Sequence, residues 1–385
     1  MKQVIRRSFF LKYVIPFVFS MGADAQSPYS PSIVYTGEYL TNTQGGLKRA
    51  DTYLDNLDLA LEVDAEQAFG IEGGTVFVYA LVNNSNTLSQ NIVGDTQVVS
   101  NIDNTSVNRL MEFWYEQAFL DNHSIKFGLF NLNSEFDVIE PAGLFNLSSH
   151  GIGPDFSQSG ENGPSIFPAS SLALRYYYQI DDEYSVRTAI LDGVPQDPKF
   201  PHRNTIHLSR SEGALLVLEA NKQNDLYRFG LGSWYYTQRV AKLKTAKKGN
   251  NYGVYGIFEY ALIKSSEEGQ SLDFFLRYGV ANPSINQVNR YFGAGLVYSG
   301  FMPSSPGDSI GLAIADAHAG KDYRDSVGAT GASGKREVNI ELTYRTEIIP
   351  RLAIQPDIQY IINPGMVRNL NDALVFGLRM ELTLL

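Results

Sequence analysis

Hydrophobic and polar residues alternate along this chain with a period of two, most plainly at 373 to 385. There Leu374, Phe376, Leu378, Met380, Leu382 and Leu384 fall on one face, while Ala373, Val375, Gly377, Arg379, Glu381 and Thr383 fall on the other. A strand produces that period and a helix cannot bury it. In a soluble sandwich the leucines would face a core and Arg379 and Glu381 would face water. In a membrane barrel the leucines face lipid and the charges face a wet lumen, because Arg at the bilayer midplane costs about 2–4 kcal/mol. One strand does not choose between the two.

The spacing of all the strands does. Alternation and turn residues together predict sixteen, at 33–41, 53–64, 75–83, 108–120, 123–132, 171–180, 184–192, 214–221, 226–237, 251–262, 271–280, 291–301, 308–316, 335–347, 350–361 and 373–385. Links after even-numbered strands include tight ones, at Asp121-Asn122, Asp181-Asp182-Glu183, Asn221 to Asp225 and Ile348-Ile349. Links after odd-numbered strands include long ones, at 84–107, 133–170, 193–213 and 317–334. An even strand count, with short turns at one end and long loops at the other, is the pattern of a transmembrane antiparallel β-barrel whose termini are both periplasmic. A sandwich has no reason to sort its links this way. No domain boundary and no fixed-period repeat interrupts the pattern, and Val327 to Gly334 reads as a loop tip.

Alternation also assigns the lumen. Met111, Phe113, Tyr115 and Phe119 suit lipid, which turns Glu112, Trp114 and Glu116 inward. The same reasoning places Arg175 and Tyr177, then Arg187, then Arg228 and Trp234, then Asp273 and Arg277 on the inner face. Asn339, Glu341 and Arg345, and Gln355, Asp357 and Gln359, follow them inward. Carboxylates, guanidinium groups and amides exchange hydrogen bonds with hydroxyls, and an aromatic plane covers the apolar face of a pyranose. This lumen, holding the only two Trp residues, suits sugars; the plainer alternative is that its charges pair with one another and keep a pore wet. The link from Asn133 to Ser170 is long enough to need a function. It is expected either to fold into the barrel and narrow it, with Glu135 and Asp137 near the constriction, or to cap the barrel from outside.

Composition sharpens the picture. Residues 1–25 read as a secretory signal: Lys2, Arg6, Arg7 and Lys12 precede an apolar stretch from Tyr13 to Met21 and the small-residue run Ala23-Asp24-Ala25. The barrel then occupies 26–385. Arg6-Arg7 partly resembles a twin-arginine signal, but that route exports folded proteins, whereas a barrel reaches its membrane unfolded. Removing the leader takes the net charge from −10 to −13, which argues against a nucleic-acid partner. The absence of cysteine excludes disulfides, a thiolate metal site and a cysteine nucleophile. Beyond residue 25 no stretch nears the ~18–20 apolar residues of a spanning helix, so a membrane segment must be a strand. A mean hydropathy of −0.16 does not oppose this, because every second residue of such a strand is polar.

Several strings carry a resemblance: Asn56-Leu57-Asp58-Leu59, Val99-Ser100-Asn101-Ile102-Asp103, Trp114-Tyr115-Glu116-Gln117, Asn133 to Asp137, Asp192-Gly193-Val194-Pro195, and the run from Gln355 to Gly365. From about residue 35 onward the chain resembles the carbohydrate-selective porins of the OprB type. The resemblance implies a sixteen-stranded outer-membrane barrel passing glucose and related sugars by diffusion through a constriction of charged and aromatic residues.

Other functions fit less well. His123, His150, His202, His207 and His318 lie in turns or loops without a companion motif for hydrolysis, and the spacing of His202 and His207 is poor for a metal on a strand. No catalytic residue, cofactor or metal is expected. The rivals to a sugar pore are a general porin and a channel for small organic anions. The latter would use Arg175, Arg187, Arg228, Arg277, Arg345 and Arg379 as a ladder, which Glu112, Glu116, Asp273, Glu341, Asp357 and Glu381 would neutralise. Lys242, Lys244, Lys247 and Lys248 are placed in an outer loop, where they could meet lipopolysaccharide phosphates or simply be solvated. Association into a trimer is left open.

Overall fold

The computed structural model describes residues 27–197, 200, 206–264, 270–302, 307–327 and 334–385. The expected leader at 1–25, His202 and most of the Val327 to Gly334 tip lie outside the described residues. Sixteen strands form one closed antiparallel barrel in which each strand pairs with its sequence neighbours and the first pairs with the last. They are β1 (Tyr29–Gln44), β2 (Ala50–Asp64), β3 (Gly74–Asn86), β4 (Thr105–Phe119), β5 (His123–Phe130), β6 (Ser171–Gln179), β7 (Tyr184–Asp192) and β8 (Ala214–Gln223). The second half comprises β9 (Tyr227–Lys242), β10 (Thr245–Lys264), β11 (Ser271–Ala281), β12 (Val288–Ser299), β13 (Ser309–Ala319), β14 (Arg336–Ile349), β15 (Leu352–Ile362) and β16 (Ala373–Thr383). All sixteen expected strands are present.

Closure sets Tyr39 opposite Leu378 and Glu38 opposite Arg379, and the alternation of β16 continues into β1 as far as a register shift between Asn42 and Gln44. The result inverts a soluble protein. Leu342, Phe376 and Leu378 are exposed on the outer wall, whereas Arg175, Arg277, Glu219 and Glu341 are almost wholly buried within it. Lipid facing the wall is what makes that distribution favourable. Tyr176, Tyr184 and Tyr260 stand outward near the short-turn end and Tyr39, Tyr53, Tyr235 and Tyr252 nearer the loop end, as amphipathic rings do at the two membrane interfaces.

Two details differ from the expected pattern. A register shift where Tyr79 and Ala80 of β3 oppose β4 turns Met111 inward, where it is buried with Leu81 and Val107 and does not face lipid. At the loop end, pairing continues between β9 and β10 as far as Thr245 opposite Lys242. Lys242 therefore lies in β9, Lys247 and Lys248 lie in β10, and only Lys244 occupies the turn, where it reaches Asp322 at 3.6 Å and also pairs with Asp325. A projecting hairpin replaces the expected outer loop.

An Arg at position 342, outward in mid-β14, is expected to destabilise the barrel by about 2–4 kcal/mol. Urea titration of the Leu342→Arg variant in lipid vesicles checks this; an unchanged midpoint would contradict the face assignment.

Candidate functional site: an in-folded constriction

The 131–170 loop enters the barrel. It carries single helical turns at Leu132–Ser134, Pro141–Leu144, Ser148–Gly151 and Pro154–Ser157, and its apolar residues Phe136, Phe145 and Phe156 are buried against the inner wall. The wall there is made of small residues: Ala313, Ala315 and Ala317 are buried, and a Cβ on Gly311 would come within 2.6 Å of the Phe145 ring. Small side chains on β13 thus leave the space that the loop fills.

Charged wall residues hold the loop. Arg277 of β11 donates from Nε and Nη2 to the two Asp137 oxygens at 2.8 and 2.6 Å and from Nη1 to Asp155 Oδ1 at 2.6 Å. The Tyr255 and Tyr291 rings lie 5.5 and 5.2 Å from its guanidinium carbon. Glu219 accepts from the Asp137 N–H at 2.8 Å and from the Tyr255 hydroxyl at 2.7 Å. Arg228 donates to the Val138 carbonyl at 2.7 Å and pairs with Glu259 at 2.8 Å. Glu341 accepts the Asn146 and Leu147 N–H groups at 2.6 and 3.2 Å. Burial pushes the Asp137 carboxyl up to about 7, although Arg277 opposes the shift. His150, buried between Phe145 and Phe275, is pushed down to about 3 and stays neutral.

A second cluster is buried at Lys126 and Arg175, whose side chains keep 4 and 2 % of their surface exposed, and slightly exposed at Glu116 and Glu135, which keep 14 and 12 %. Lys126 Nζ lies 2.5 Å from Glu135 and 3.5 Å from Glu116, and Arg175 bridges the same two carboxylates at 2.7 and 2.8 Å. Arg187 donates to the Glu135 carbonyl, and its side chain keeps 18 % of its surface exposed. Burial would raise the Glu135 carboxyl, but Arg175, Lys126 and Arg187 outweigh it and hold that group below the ordinary carboxylate range.

Among the residues picked out from sequence, Glu112, Trp114, Glu116, Glu135, Arg175 and Arg187 are thus brought together, while Asp137, Arg228, Trp234, Arg277 and Glu341 serve the loop anchor. Arg345 stands apart, paired with Glu381 at 2.9 Å toward the short-turn end. The expected sugar-stacking role of the tryptophans needs correction. Trp114 has Phe77 stacked at 5.1 Å, Lys126 Nζ 3.8 Å from its ring centroid, and its Nε1 donating to Glu112 at 3.1 Å. Trp234 is stacked on Phe156 at 5.1 Å and 4°. Both are almost fully buried, so these planes support the loop and the charged cluster and are not open to a pyranose.

Sequence reasoning missed Lys126, Asp155 and Glu219. Lys126 was within reach, since Ile125, Phe127 and Leu129 mark the lipid face of β5 and leave Lys126 inside. It also missed that the 87–104 loop folds inward. Gln359 donates to the Val99 carbonyl at 2.8 Å, Arg379 to Asn101 Oδ1 at 2.8 Å, and Ser100 to Glu38 at 2.6 Å. The two loops join where Asn101 N–H donates to the Asn146 carbonyl at 2.7 Å and Ser148 N–H to the Val98 carbonyl at 3.0 Å. Among the described residues no group of three His, Asp or Glu side chains is disposed to hold a metal.

A closed sixteen-stranded barrel, apolar outside and charged inside, with a loop folded into its lumen, defines a porin. Residues 48–384 match the carbohydrate-selective porin, OprB family, and the chain belongs to that family: an outer-membrane channel for passive diffusion of small sugars. It is 25 % identical to Porin B of Pseudomonas aeruginosa, over 92 % of this chain and 87 % of that protein. In structure it is similar to Pseudomonas putida OprB at high pH (TM-score 0.82, 22 % identity, 92 % of this chain and 94 % of that one). The outer-membrane channel DcaP of Acinetobacter baumannii shares the fold at 9 % identity (TM-score 0.56, covering 92 % of this chain and 96 % of that one).

Replacing Arg277 by Met leaves Asp137 and Asp155 buried without their cation, a loss of about 3–5 kcal/mol for a broken buried pair. Single-channel recordings are expected to show a larger, noisier conductance; a conductance equal to wild type would sink the anchoring role.

Proposed function

We propose that monosaccharides such as glucose cross at the cluster formed by Glu116, Lys126, Glu135, Arg175 and Arg187, and that the pairing of these charges favours a neutral polyhydroxyl solute over an organic anion. The observation behind this is that each arginine of the inward ladder has a carboxylate beside it. Arg175 has Glu116 and Glu135, Arg228 has Glu259, Arg277 has Asp137 and Asp155, Arg345 has Glu381, and Arg379 has Glu38 at 2.9 Å. Arg187, at 3.9 Å from Glu219, is the most loosely paired.

An anion pore needs a surplus of cationic field along its path, and here the field of each guanidinium is largely cancelled within a few ångströms. The partly exposed edges of the pairs still offer donors and acceptors. A sugar hydroxyl uses both, exchanging water for protein hydrogen bonds at little net cost, so the solute binds weakly and leaves.

Proteoliposome swelling separates the readings: glucose is expected to enter faster than succinate or benzoate, and faster benzoate entry would overturn the sugar assignment. In the Glu135→Gln variant Lys126 and Arg175 gain unbalanced charge, so the ratio of chloride to potassium permeability is expected to rise about threefold. An unchanged reversal potential would remove Glu135 from the path.

A further inference from the structure

The outer wall is lowest at β5, β6 and β7, which are 8, 9 and 9 residues long, and residues 208–213 of the loop after β7 lie against it from outside. Two contacts pin the loop: Ala214 N–H donates to Thr237 Oγ1 at 2.8 Å, and Gly193 N–H to the Gly213 carbonyl at 3.2 Å. Between loop and wall lies an outward-facing groove of about 570 Å³ lined by Phe127, Leu174, Ile190, Leu208, Arg210 and Thr237. Its floor is apolar, with Phe127, Leu174 and Ile190 each about half exposed. At its rim Arg210 is exposed and, among the described residues, forms no ion pair. Asp192 also lines the groove, with its carboxylate turned to the Gly193 and Val194 N–H groups, and Glu212 is taken by His207 at 3.3 Å. Two residues beyond Thr237 the projecting hairpin begins its run of exposed cations, Arg239, Lys247 and Lys248.

We propose that this groove seats one phosphorylated glycolipid of the outer leaflet, an acyl chain lying along Phe127, Leu174 and Ile190 and a head-group phosphate meeting Arg210 beneath the cationic hairpin. An otherwise acidic chain places this apolar floor directly below cations at the height where a membrane changes from hydrocarbon to phosphate. A second barrel is the poorer occupant: its wall is convex, whereas this space is a recess between residues 208–213 and the strands. The proposal is independent of which solute crosses the pore.

The full-length protein in detergent, presented with lipopolysaccharide and analysed by native mass spectrometry, tests it. Wild type is expected to keep one lipopolysaccharide per barrel, the Arg210→Glu variant to bind about tenfold more weakly, and Arg210→Lys to bind like wild type. Enzymatically dephosphorylated lipopolysaccharide is expected to bind wild type as weakly as intact lipid binds Arg210→Glu. The Ala214→Trp variant, which fills the groove, is expected to lose the lipid while retaining the folded barrel's gel mobility. Equal binding by the Glu and Trp variants would overturn the proposal. So would equal affinity for phosphatidylglycerol, which would reduce the groove to a general anionic-lipid contact. A change of oligomer mass in Ala214→Trp without a change in bound lipid would also overturn it, assigning the groove to contact between copies.

Discussion

Arg277 lies in a part of the lumen wall that the 131–170 loop has closed off from water, and a bare guanidinium there would be prohibitively costly. Two carboxylates from the loop, Asp137 and Asp155, meet it, and two tyrosine rings flank it. The ion pair fixes two points of the loop to one strand, so the stretch between them has few places to go. Its aromatic residues then settle against the small face of β13 and against Trp234. Glu135 precedes Asp137 by two residues, so the same anchor sets the position of its carboxylate over Lys126 and Arg175. The cluster around Glu135 is a consequence of the one around Arg277.

This dependence divides the lumen. The inner faces of β9 to β14 are covered by the loop and act as its seat, while on β4 and β7 Glu116 and Arg187 keep 14 and 18 % of their side-chain surface exposed. A buried anchor tolerates little change, because each carboxylate or cation removed strands its partner away from water. In the cluster around Glu135 water reaches Glu116, Glu135 and Arg187 but hardly reaches Lys126 and Arg175, so removing either Glu116 or Glu135 also leaves a buried cation short of a partner.

The alternation of side chains made the strands and their faces legible, since a wall between lipid and water imposes a period of two on every strand. Arg175, Arg187, Arg228 and Arg277 could therefore be assigned to the lumen before their surroundings were known. Their partners could not. Asp273, one of the carboxylates expected to balance the ladder, accepts from Ser271, while Arg277 turns to the loop. A loop has no period to read, so Asp155 and the in-folding of 87–104 left no comparable trace. Met111 went astray because a bulge moves the phase of alternation by one residue, and neither polarity nor turn residues mark the shift. The tryptophans were placed on the correct face but given the wrong neighbours, because facing the lumen does not mean facing water once a loop fills part of it.

That last point bears on how selectivity arises here. In an unfilled barrel every inward residue would be a candidate for solute contact. Filling part of the lumen hides Glu219 and Glu341 behind backbone N–H groups, with Tyr255 also engaging Glu219, and removes their charges from the solute's surroundings. What remains exposed are the edges of Glu116, Glu135 and Arg187, each with an opposite charge nearby, where donors and acceptors stand close together and the net field is small. The loop acts less by narrowing the hole than by choosing which wall charges a passing molecule meets, and the choice it makes suits a neutral molecule rich in hydroxyls.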